Sequence, residues 1–355
     1  MNFPFFQNQL TSAHWKELLA DSIVTADQLS KRFALDPDQI RQVTDRYPMR
    51  INPYYLNLIQ HPGDALWKQA VPDIAEIQDN QGTDDPLCEE NQSPVPGLIH
   101  RYPDRVVFLI SSHCAMFCRH CMRKRRVGHP FTVTEKNIRA GIEYIGKQKK
   151  IRDVILSGGD PLLLEDEKLR EILAEIRAMS HVEIIRIHTR IPCTLPQRIT
   201  VELVQMLKNF HPLYINTHFN HPDEITPQSA LACGLLADAG IPLGCQTVML
   251  KGVNDSPEIM KKLMSKLLQI RVKPYYIHQG DKVRGTGHFH TSLETGLEIM
   301  DALRCHTSGM AVPQYMIDLP GGGGKIPLLP EYVVKKEADV WHIRTYEGKM
   351  VEYPL

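Results

Sequence analysis

Three cysteines stand close together in a chain whose other five cysteines are scattered. Cys114, Cys118 and Cys121 occur in SSHCAMFCRHCMRKRR with the spacing CxxxCxxC, so a short loop could bring their thiolates to one metal centre. Ordinary 4Fe-4S sites use four cysteines, and three would leave one iron open to a small molecule. The alternative is a zinc site with His113 or His120 as fourth ligand, although zinc sites usually contain paired CxxC motifs.

A second candidate for chemistry is Lys325, which ends the glycine-rich run DLPGGGGK at 318–325. Four successive glycines expose backbone amides and can fold over a flat ligand. A partly desolvated lysine is nucleophilic toward an aldehyde, so Lys325 is a candidate for a Schiff base. A phosphate-binding P-loop needs GxxxxGK and then Ser or Thr before a helix, whereas IPLLP follows here. A plain glycine linker is the remaining alternative.

The elements that must position these residues alternate from Arg105 onward. Apolar or β-branched runs indicate strands, and amphipathic stretches between them indicate helices. Six to seven βα units predict a barrel or partial barrel, although a doubly wound sheet gives the same alternation. The expected strands are 106–112, 153–159, 182–190, 213–219, 243–250, 273–279 and, as a seventh, 313–318; the expected helices lie near 134–148, 166–178, 197–209, 227–239, 257–270 and 293–307.

The two ends of the chain lack this alternation. Residues 1–100 are helix-prone at first and then rich in Pro, Asp and Gln, which predicts an N-terminal helical arm and an irregular connector. The tail alternates around Glu347 and Gly348, as a hairpin does. The predicted domains are therefore 1–100 for the arm and connector, 101–320 for the barrel, and 321–355 for the lysine segment and hairpin.

Composition and charge exclude several function classes. Forty-one basic and forty-one acidic residues cancel, so the net charge gives no reason to expect nucleic acid or an anionic membrane as partner. No stretch approaches the roughly 18 apolar residues of a membrane span, and the start of the chain is unlike a signal peptide. We expect a cytoplasmic protein whose scattered cysteines are small buried hydrophobes, namely Cys88, Cys193, Cys233, Cys245 and Cys305.

These motifs together resemble the radical-SAM superfamily and, within it, the lysine 2,3-aminomutase family. CxxxCxxC after the first barrel strand is typical of the superfamily. CRHCMRKRR, LSGGDPL, HTRIP, THFNHPDEIT, QTVMLKGVND and DLPGGGGKIPLLPEY are similar to the family's segments, in order, over roughly 85–353. The resemblance implies a partial (β/α)6 barrel with a 4Fe-4S cluster on the three cysteines. It also implies S-adenosylmethionine on the open iron and pyridoxal 5'-phosphate (PLP) on Lys325.

The resemblance assigns roles to further residues. Arg101, Tyr102 and Arg105 would lie near PLP, since arginine binds phosphate or carboxylate through a planar fork. Arg123 would receive the substrate carboxylate. Asp281 and Asp318 would hold the distal ammonium of lysine, whereas a glutamate enzyme should present cationic or neutral groups there. The implied S-adenosylmethionine site consists of Ser157, Gly158, Gly159, Asp160, His218 and Gln246.

The enzyme implied by this resemblance is an isomerase that moves the α-amino group of L-lysine to the β-carbon. The cluster would reduce S-adenosylmethionine, and the resulting 5'-deoxyadenosyl radical would take a β-hydrogen from lysine held as a PLP aldimine. The nitrogen would migrate and the hydrogen would return. Expected partners are an electron donor such as flavodoxin or ferredoxin and further copies of the chain in a dimer or tetramer, with no nucleic acid or membrane.

Several alternatives stay open. The substrate could be glutamate or arginine. A shorter branch of the family supplies β-lysine for elongation factor P and has a similar length, but its lysine segment is less glycine-rich. A zinc-stabilised RNA-binding protein would use Arg119 and the basic run 122–126, although no aromatic residues interleave there. Ser256 replaces a zinc-binding cysteine of clostridial-type enzymes, and the chain stops at Leu355, so we expect no structural zinc.

Overall fold

The computed structural model of the protein describes residues 12–128 and 133–355. Helices dominate the predicted N-terminal arm. Asp36, Asn52 and Asp64 each precede a helix there, and each side chain accepts a hydrogen bond from a backbone N–H of the first turn. The six helices of this region are α1 Ser12–Ala20, α2 Ala26–Phe33, α3 Pro37–Thr44, α4 Pro53–Leu56, α5 Ala65–Ala70 and α6 Ala75–Gln78.

A nine-stranded sheet forms the centre of the molecule, and its strands follow one another in sequence order. β2 to β8 are parallel, and the edge strands β1 and β9 run antiparallel to their neighbours. A doubly wound sheet reverses its strand order, so this alternative is wrong. The strands are β1 Leu98–Tyr102, β2 Arg105–Ser111, β3 Asp153–Gly158, β4 Ile184–His188, β5 Leu213–Thr217, β6 Leu243–Val248, β7 Lys273–His278, β8 Gln314–Leu319 and β9 Gly324–Leu328.

The two edges of this sheet approach each other. The backbone N–H of Lys325 on β9 donates a hydrogen bond to the hydroxyl oxygen of Tyr102 on β1, at 3.0 Å. The guanidinium of Arg101 on β1 lies 3.4 Å from Asp318 on β8. The sheet therefore curves until its ends meet through side chains rather than through a strand ladder, which confirms the predicted partial barrel.

Helices connect the parallel strands, as expected. In α8, Leu169, Ile172, Leu173 and Ile176 are buried at helical spacing and form one apolar stripe. Burial of each such side chain contributes about 1.5–3 kcal/mol. The predicted helix at 197–209 is shorter in the structure, because a 3-10 turn at Pro196–Arg198 precedes it. The helices are α7 Glu135–Lys147, α8 Asp166–Arg177, α9 Ile191–Thr194, α10 Val201–Leu207, α11 Pro227–Asp238, α12 Pro257–Gln269 and α13 Leu293–Leu303.

The C-terminal region contains a small second sheet. β10 Val333–Lys336, β11 Val340–Arg344 and β12 Met350–Pro354 are consecutive antiparallel strands. β11 and β12 form the predicted hairpin, to which β10 adds a third strand. Among the helices of the described residues, none has the length and apolar character needed to cross a membrane.

Two details of local structure could not be read from the sequence. The glycine-rich run is a tight turn and not the plain linker of the alternative: Gly321 and Gly322, with φ of 66° and 84°, turn the chain between β8 and β9, so that Lys325 lies on a strand. The scattered cysteines are not all buried. Cys193, Cys233 and Cys245 are buried, but Cys88 is half-buried and Cys305 is exposed.

Candidate active site

One cavity of about 540 Å³ lies at the C-terminal ends of the parallel strands. Its wall contains both the cysteine motif and the lysine of the glycine-rich run, which are about 200 residues apart in sequence. Every residue that the sequence predicted for the site also lines this cavity: Arg101, Tyr102, Arg105, Cys114, Cys118, Cys121, Arg123, Ser157, Gly158, Gly159, Asp160, His218, Gln246, Asp281, Asp318 and Lys325.

The cysteine loop follows β2 and is held by the N-terminal arm. The amide of Asn52 donates to the carbonyl of Ala115 at 3.1 Å. The backbone N–H of Phe117 donates to the carbonyl of Arg50, and that of Arg119 to the carbonyl of Gln69. Helices α4 and α5 thus fix the backbone around the cysteines, which gives the arm a structural role at this site.

Buried ion pairs strengthen this attachment. The carboxylate of Glu76, on α6, is fully buried and contacts the guanidinium of Arg119 at 2.6 Å and the ammonium of Lys124. Burial would raise the pKa of Glu76, but the two cations outweigh it and lower the pKa below its usual value. The two cations and the carboxylate therefore compensate one another inside the protein.

The other cations of the basic run also pair with carboxylates of this chain. Arg123, Arg125 and Arg126 each pair with an acidic residue of the preceding connector, through Glu89 or Glu90. The run does not form a free basic patch, because its cations bind carboxylates of the same chain. The RNA-binding alternative is therefore wrong.

The cysteine thiols lie in a setting that suits metal ligation. Burial, followed by the charges of the other cysteines, raises the pKa of Cys114 and brings that of Cys121 to about 11. These groups are therefore thiols at neutral pH unless a cation stabilises the thiolate form. Among the described residues, no group of three or more His, Cys, Asp and Glu side chains is arranged to hold a single metal ion.

The glycines after β3 are required by packing against β2. A Cβ atom on Gly158, whose φ is 139°, would lie 2.3 Å from the carbonyl oxygen of Ser111, and one on Gly159 would lie 2.3 Å from that of His113. The resemblance assigned these glycines to the S-adenosylmethionine site. The structure shows that packing within the chain also requires them, because the close neighbour is the strand end that leads into the cysteine loop.

Asp160 ties this turn to the next strand end. Its carboxylate accepts hydrogen bonds from the Thr189 hydroxyl and the Arg190 backbone N–H, both at 2.7 Å. Burial raises its pKa to about 6. Asp160 lines the cavity, but its carboxylate is occupied within the protein. It therefore positions the turn, whatever contact the turn makes with a ligand.

Buried histidines line the cavity at several strand ends. His218 contacts the Gln246 carbonyl through Nδ1 at 2.8 Å, and burial lowers its pKa to about 4. His188 ends β4 and His278 ends β7, and burial lowers the pKa of both well below the usual value. The sequence analysis missed these two. Their place at the ends of predicted strands was the signal that could have found them.

The lysine end of the cavity is built from β1, β8 and β9. Asp318 and Lys325 are directly opposite each other in the β8–β9 ladder, and their charged groups form a short ion pair. The guanidinium of Arg105 stacks over the ring of Tyr102 at 4.3 Å. Its Nε makes no hydrogen bond but pairs with the carboxylate of the adjacent Asp104 at 3.7 Å.

Two carboxylates lie close to Lys325. Burial, followed by the negative charge of Asp318, raises the pKa of Asp281 to about 7. A cation bound between the two carboxylates would relieve this repulsion, because an opposite charge favours the ionised form. This end of the cavity is therefore suited to a positively charged group.

Arg123 has a partner that the sequence analysis missed. Its guanidinium contacts the carboxylate of Glu89 at 2.7 Å and donates to the Ser157 hydroxyl at 3.3 Å. Burial would raise the pKa of Glu89, but Arg123 outweighs it and lowers that pKa to about 2. Nothing in the composition of the connector distinguishes Glu89 from the acidic residues beside it.

Comparisons with known proteins agree with this geometry. The Radical SAM superfamily model matches residues 108–263, and the Lysine-2,3-aminomutase model matches 300–355. The L-lysine 2,3-aminomutase of Acetoanaerobium sticklandii is 49% identical over 96% of this chain and 84% of the relative. That of Methanococcus maripaludis is 50% identical over 96% and 81%. The chain belongs to the lysine 2,3-aminomutase family. The Glutamate 2,3-aminomutase of Clostridioides difficile is 45% identical over 96% and 82%.

One solved structure is less similar to this chain than these relatives are. Streptococcus suis SuiB bound to S-adenosylmethionine gives a TM-score of 0.47 at 13% identity, covering 62% of this chain and 51% of that one.

Membership of this family implies a 4Fe-4S cluster, S-adenosylmethionine and PLP, and the residues present fit all three. Three cysteine donors line one wall of the cavity, which is the donor type such clusters use. The His120 ring is buried in the same wall, and its Nδ1 lacks a partner, so a polar ligand atom could satisfy it. At the opposite end, the amine of Lys325 and the guanidinium of Arg105 suit an aldehyde that carries a phosphate.

Proposed function

We propose that this protein is an L-lysine 2,3-aminomutase, an isomerase that moves the α-amino group of L-lysine to the β-carbon. The observation that carries the proposal is the shared cavity of the three cysteines and Lys325. When bound, the cluster, S-adenosylmethionine and PLP supply the radical chemistry and the stabilisation of the migrating group. Such chemistry requires the radical source and the substrate carbon to be close together.

The proposed role of the cysteine end is to bind the cluster and S-adenosylmethionine. Cys114, Cys118 and Cys121 would supply the thiolates. The turn at 157–160 and the side chains of His218 and Gln246 would surround the adenosyl and methionyl groups, because they follow neighbouring strand ends and line the same cavity. The packing of the N-terminal arm against this end would help to keep out oxygen, which reacts with carbon radicals.

At the lysine end, Lys325 would hold PLP, and Arg101, Tyr102 and Arg105 would bind and orient it. Tyr102 already fixes the backbone of Lys325 by accepting its N–H. The guanidinium of Arg105 would meet the phosphate. These contacts lock the position of the coenzyme relative to the cavity, and this positioning is the protein's main contribution to the rate.

Two features favour lysine as the substrate. Arg123 can receive the α-carboxylate through Nη1, which Glu89 does not hold. Asp281 and Asp318 can pair with the distal ammonium. The Nζ atom of Lys325 is itself a primary ammonium, and it is paired with Asp318 here, so this place in the cavity already accommodates such a group. A glutamate side chain would instead bring a third carboxylate to this place, which like-charge repulsion disfavours.

The remaining proposals concern partners and organisation. A low-potential donor such as flavodoxin or ferredoxin would reduce the cluster, and copies of the chain would form a dimer or tetramer. The free cysteines favour a reducing, cytoplasmic location. The division into 1–100, 101–320 and 321–355 is also proposed. Turnover of free L-lysine against other amino acids would separate the lysine, glutamate and arginine alternatives.

The deciding experiment is anaerobic reconstitution with iron, sulfide, PLP and S-adenosylmethionine, followed by amino-acid analysis after incubation with L-lysine, L-glutamate or L-arginine. We expect β-lysine from lysine and no product from the others. Lys325→Ala should keep the cluster and lose turnover, whereas Cys118→Ala should lose the cluster. Cys233→Ala, at a buried cysteine outside the cavity lining, is the matched control and should stay active.

Two results would contradict the proposal. A fully loaded protein that converts glutamate but not lysine would assign the other substrate of this family. A protein that loads both cofactors and converts none of the three amino acids would remove the proposed activity altogether.

A further inference from the structure

Arg190 contacts one of the three cysteines directly. It follows β4 in the segment HTRIP, and its guanidinium Nη1 donates a hydrogen bond to the Sγ atom of Cys118 at 2.8 Å. The residue is buried and lines the cavity. The sequence analysis gave it no role, because nothing in the sequence shows which side chain will reach the cysteine loop.

The guanidinium is held in place from several sides. Its Nη2 atom donates to the amide oxygen of Gln69 at 2.6 Å and to the carboxylate of Glu224 at 2.7 Å. Glu224 is fully buried and also accepts a hydrogen bond from the Tyr55 hydroxyl at 2.7 Å. Gln69 and Tyr55 belong to the N-terminal arm, so the arm fixes the direction in which Arg190 donates to Cys118.

The contact between Arg190 and Cys118 is part of an ion pair with a fixed orientation. Arg190 and Glu224 form an ion pair in which Nη1 of the guanidinium faces Cys118 and the carboxylate binds the other terminal nitrogen, Nη2. In a buried setting, the electrostatic effect of an ion pair on its neighbours depends on its orientation as well as on its net charge. A thiolate that accepts an N–H hydrogen bond carries its negative charge at lower cost.

Reduction of a cluster adds one electron and therefore one unit of negative charge, part of which resides on the ligating sulfurs. Hydrogen bonds to those sulfurs are among the factors that set cluster potentials. A donor aimed at Cys118 stabilises the reduced state more than the oxidised state, so the potential rises. A carboxylate bound to the same guanidinium acts in the opposite direction.

We propose that Arg190 is a positioning residue that fixes Cys118 and raises the reduction potential of the cluster held by the three cysteines. The cluster gains one electron, a low-potential one-electron donor loses one, and no bond or proton is transferred. Without this contact, reduction by the same donor is less favourable. The inference rests on the proposed function only in requiring that the cysteines hold the cluster.

The test compares midpoint potentials of the reconstituted full-length protein in redox titrations monitored by electron paramagnetic resonance, with iron per chain measured in parallel. We expect Arg190→Gln to lower the equilibrium constant for one-electron reduction about tenfold, equivalent to about 59 mV. Glu224→Gln removes the opposing charge and should raise the potential. Arg198→Gln is the control, since Arg198 is buried and pairs with Asp166 but does not line the cavity. Its potential should equal that of the parent.

Each outcome decides the matter. An unchanged potential in Arg190→Gln at full iron content overturns the inference, as does an equal shift in Arg198→Gln. If Arg190→Gln cannot hold iron, the sign in Glu224→Gln decides: an upward shift supports the inference, and no shift or a downward one overturns it. If the parent protein binds no cluster, the proposed function is contradicted as well. If the parent is active and the variants show no shift in potential, only this inference is contradicted.

Discussion

The two ends of the cavity are built differently. At the cysteine end, the polar anchors are almost completely buried: Glu76 is 0% exposed and Arg119 is 2% exposed. At the lysine end, the side chain of Lys325 is 34% exposed, and it lies on a strand at the edge of the sheet. One end is enclosed by the N-terminal arm, and the other is formed by two sheet edges that meet through side chains.

This difference suits the roles proposed for the two ends. A cluster and a radical bound at the cysteine end would need shielding from water and oxygen, and buried ion pairs fix geometry at a cost in desolvation. A lysine whose coenzyme passes to the substrate would have to stay accessible to both. The contrast predicts that substitutions at the cysteine end mainly affect stability, whereas those at the lysine end mainly affect binding.

The largest effect on stability is expected at Glu76. Glu76→Ala leaves Arg119 and Lys124 buried without their shared carboxylate, which should lower the free energy of unfolding by about 3–5 kcal/mol. Chemical denaturation of the unloaded protein measures this. The control is Glu165→Ala, which removes the exposed pair with Lys16 and should cost less than about 1 kcal/mol. Equal losses of stability in the two variants would mean that the buried ion pairs of Glu76 contribute no more than an exposed pair does.

Glycines at the two ends give a second comparison. Gly158→Ala at the cysteine end would place a Cβ 2.3 Å from a backbone oxygen at a φ of 139°, so we expect a loss of about 3 kcal/mol. Gly321→Ala at the lysine end has an unfavourable φ of 66° but nothing within 4 Å, so only the conformational cost of about 1 kcal/mol remains. Thermal unfolding of both variants measures the difference. Similar losses would show that the turn after β3 can relax.

The sequence predicted the barrel strands and grouped the three cysteines in one loop because these signals are local. Cys114, Cys118 and Cys121 share one loop, and the apolar runs that become β2 to β8 are continuous in sequence. Strand ends differed from the structure by one or two residues, where polar side chains follow the last ladder pair.

The missed features depend on distant contacts. Glu89 reaches Arg123 across 34 positions, and Arg190 reaches Cys118 across 72. β1 and β9 were missed because each is an edge strand defined by its partner rather than by an alternating pattern. The role of the N-terminal arm was missed for the same reason, since Glu76 shows its importance only where it contacts the basic run.

The smallest predicted effect concerns pH at the lysine end. The pKa of Asp281 is raised to about 7 in the free protein, by burial and then by Asp318. Only the ionised carboxylate attracts the substrate ammonium, which stays protonated because its pKa is about 10.4. The KM for lysine should therefore rise below pH 7, by up to about tenfold per pH unit. Asp281→Asn should raise KM and remove this dependence.

The control for this prediction is Asp238→Asn, which changes a surface carboxylate paired with Arg271 and should keep the parent profile. Steady-state kinetics between pH 6 and pH 8 measure all three proteins. A parent KM that is flat across this range would mean that Asp281 is already ionised or does not face the ammonium. The carboxylates Glu76 and Glu89 should contribute nothing to this pH dependence of KM, because their cation partners lower their pKa values and they stay charged throughout.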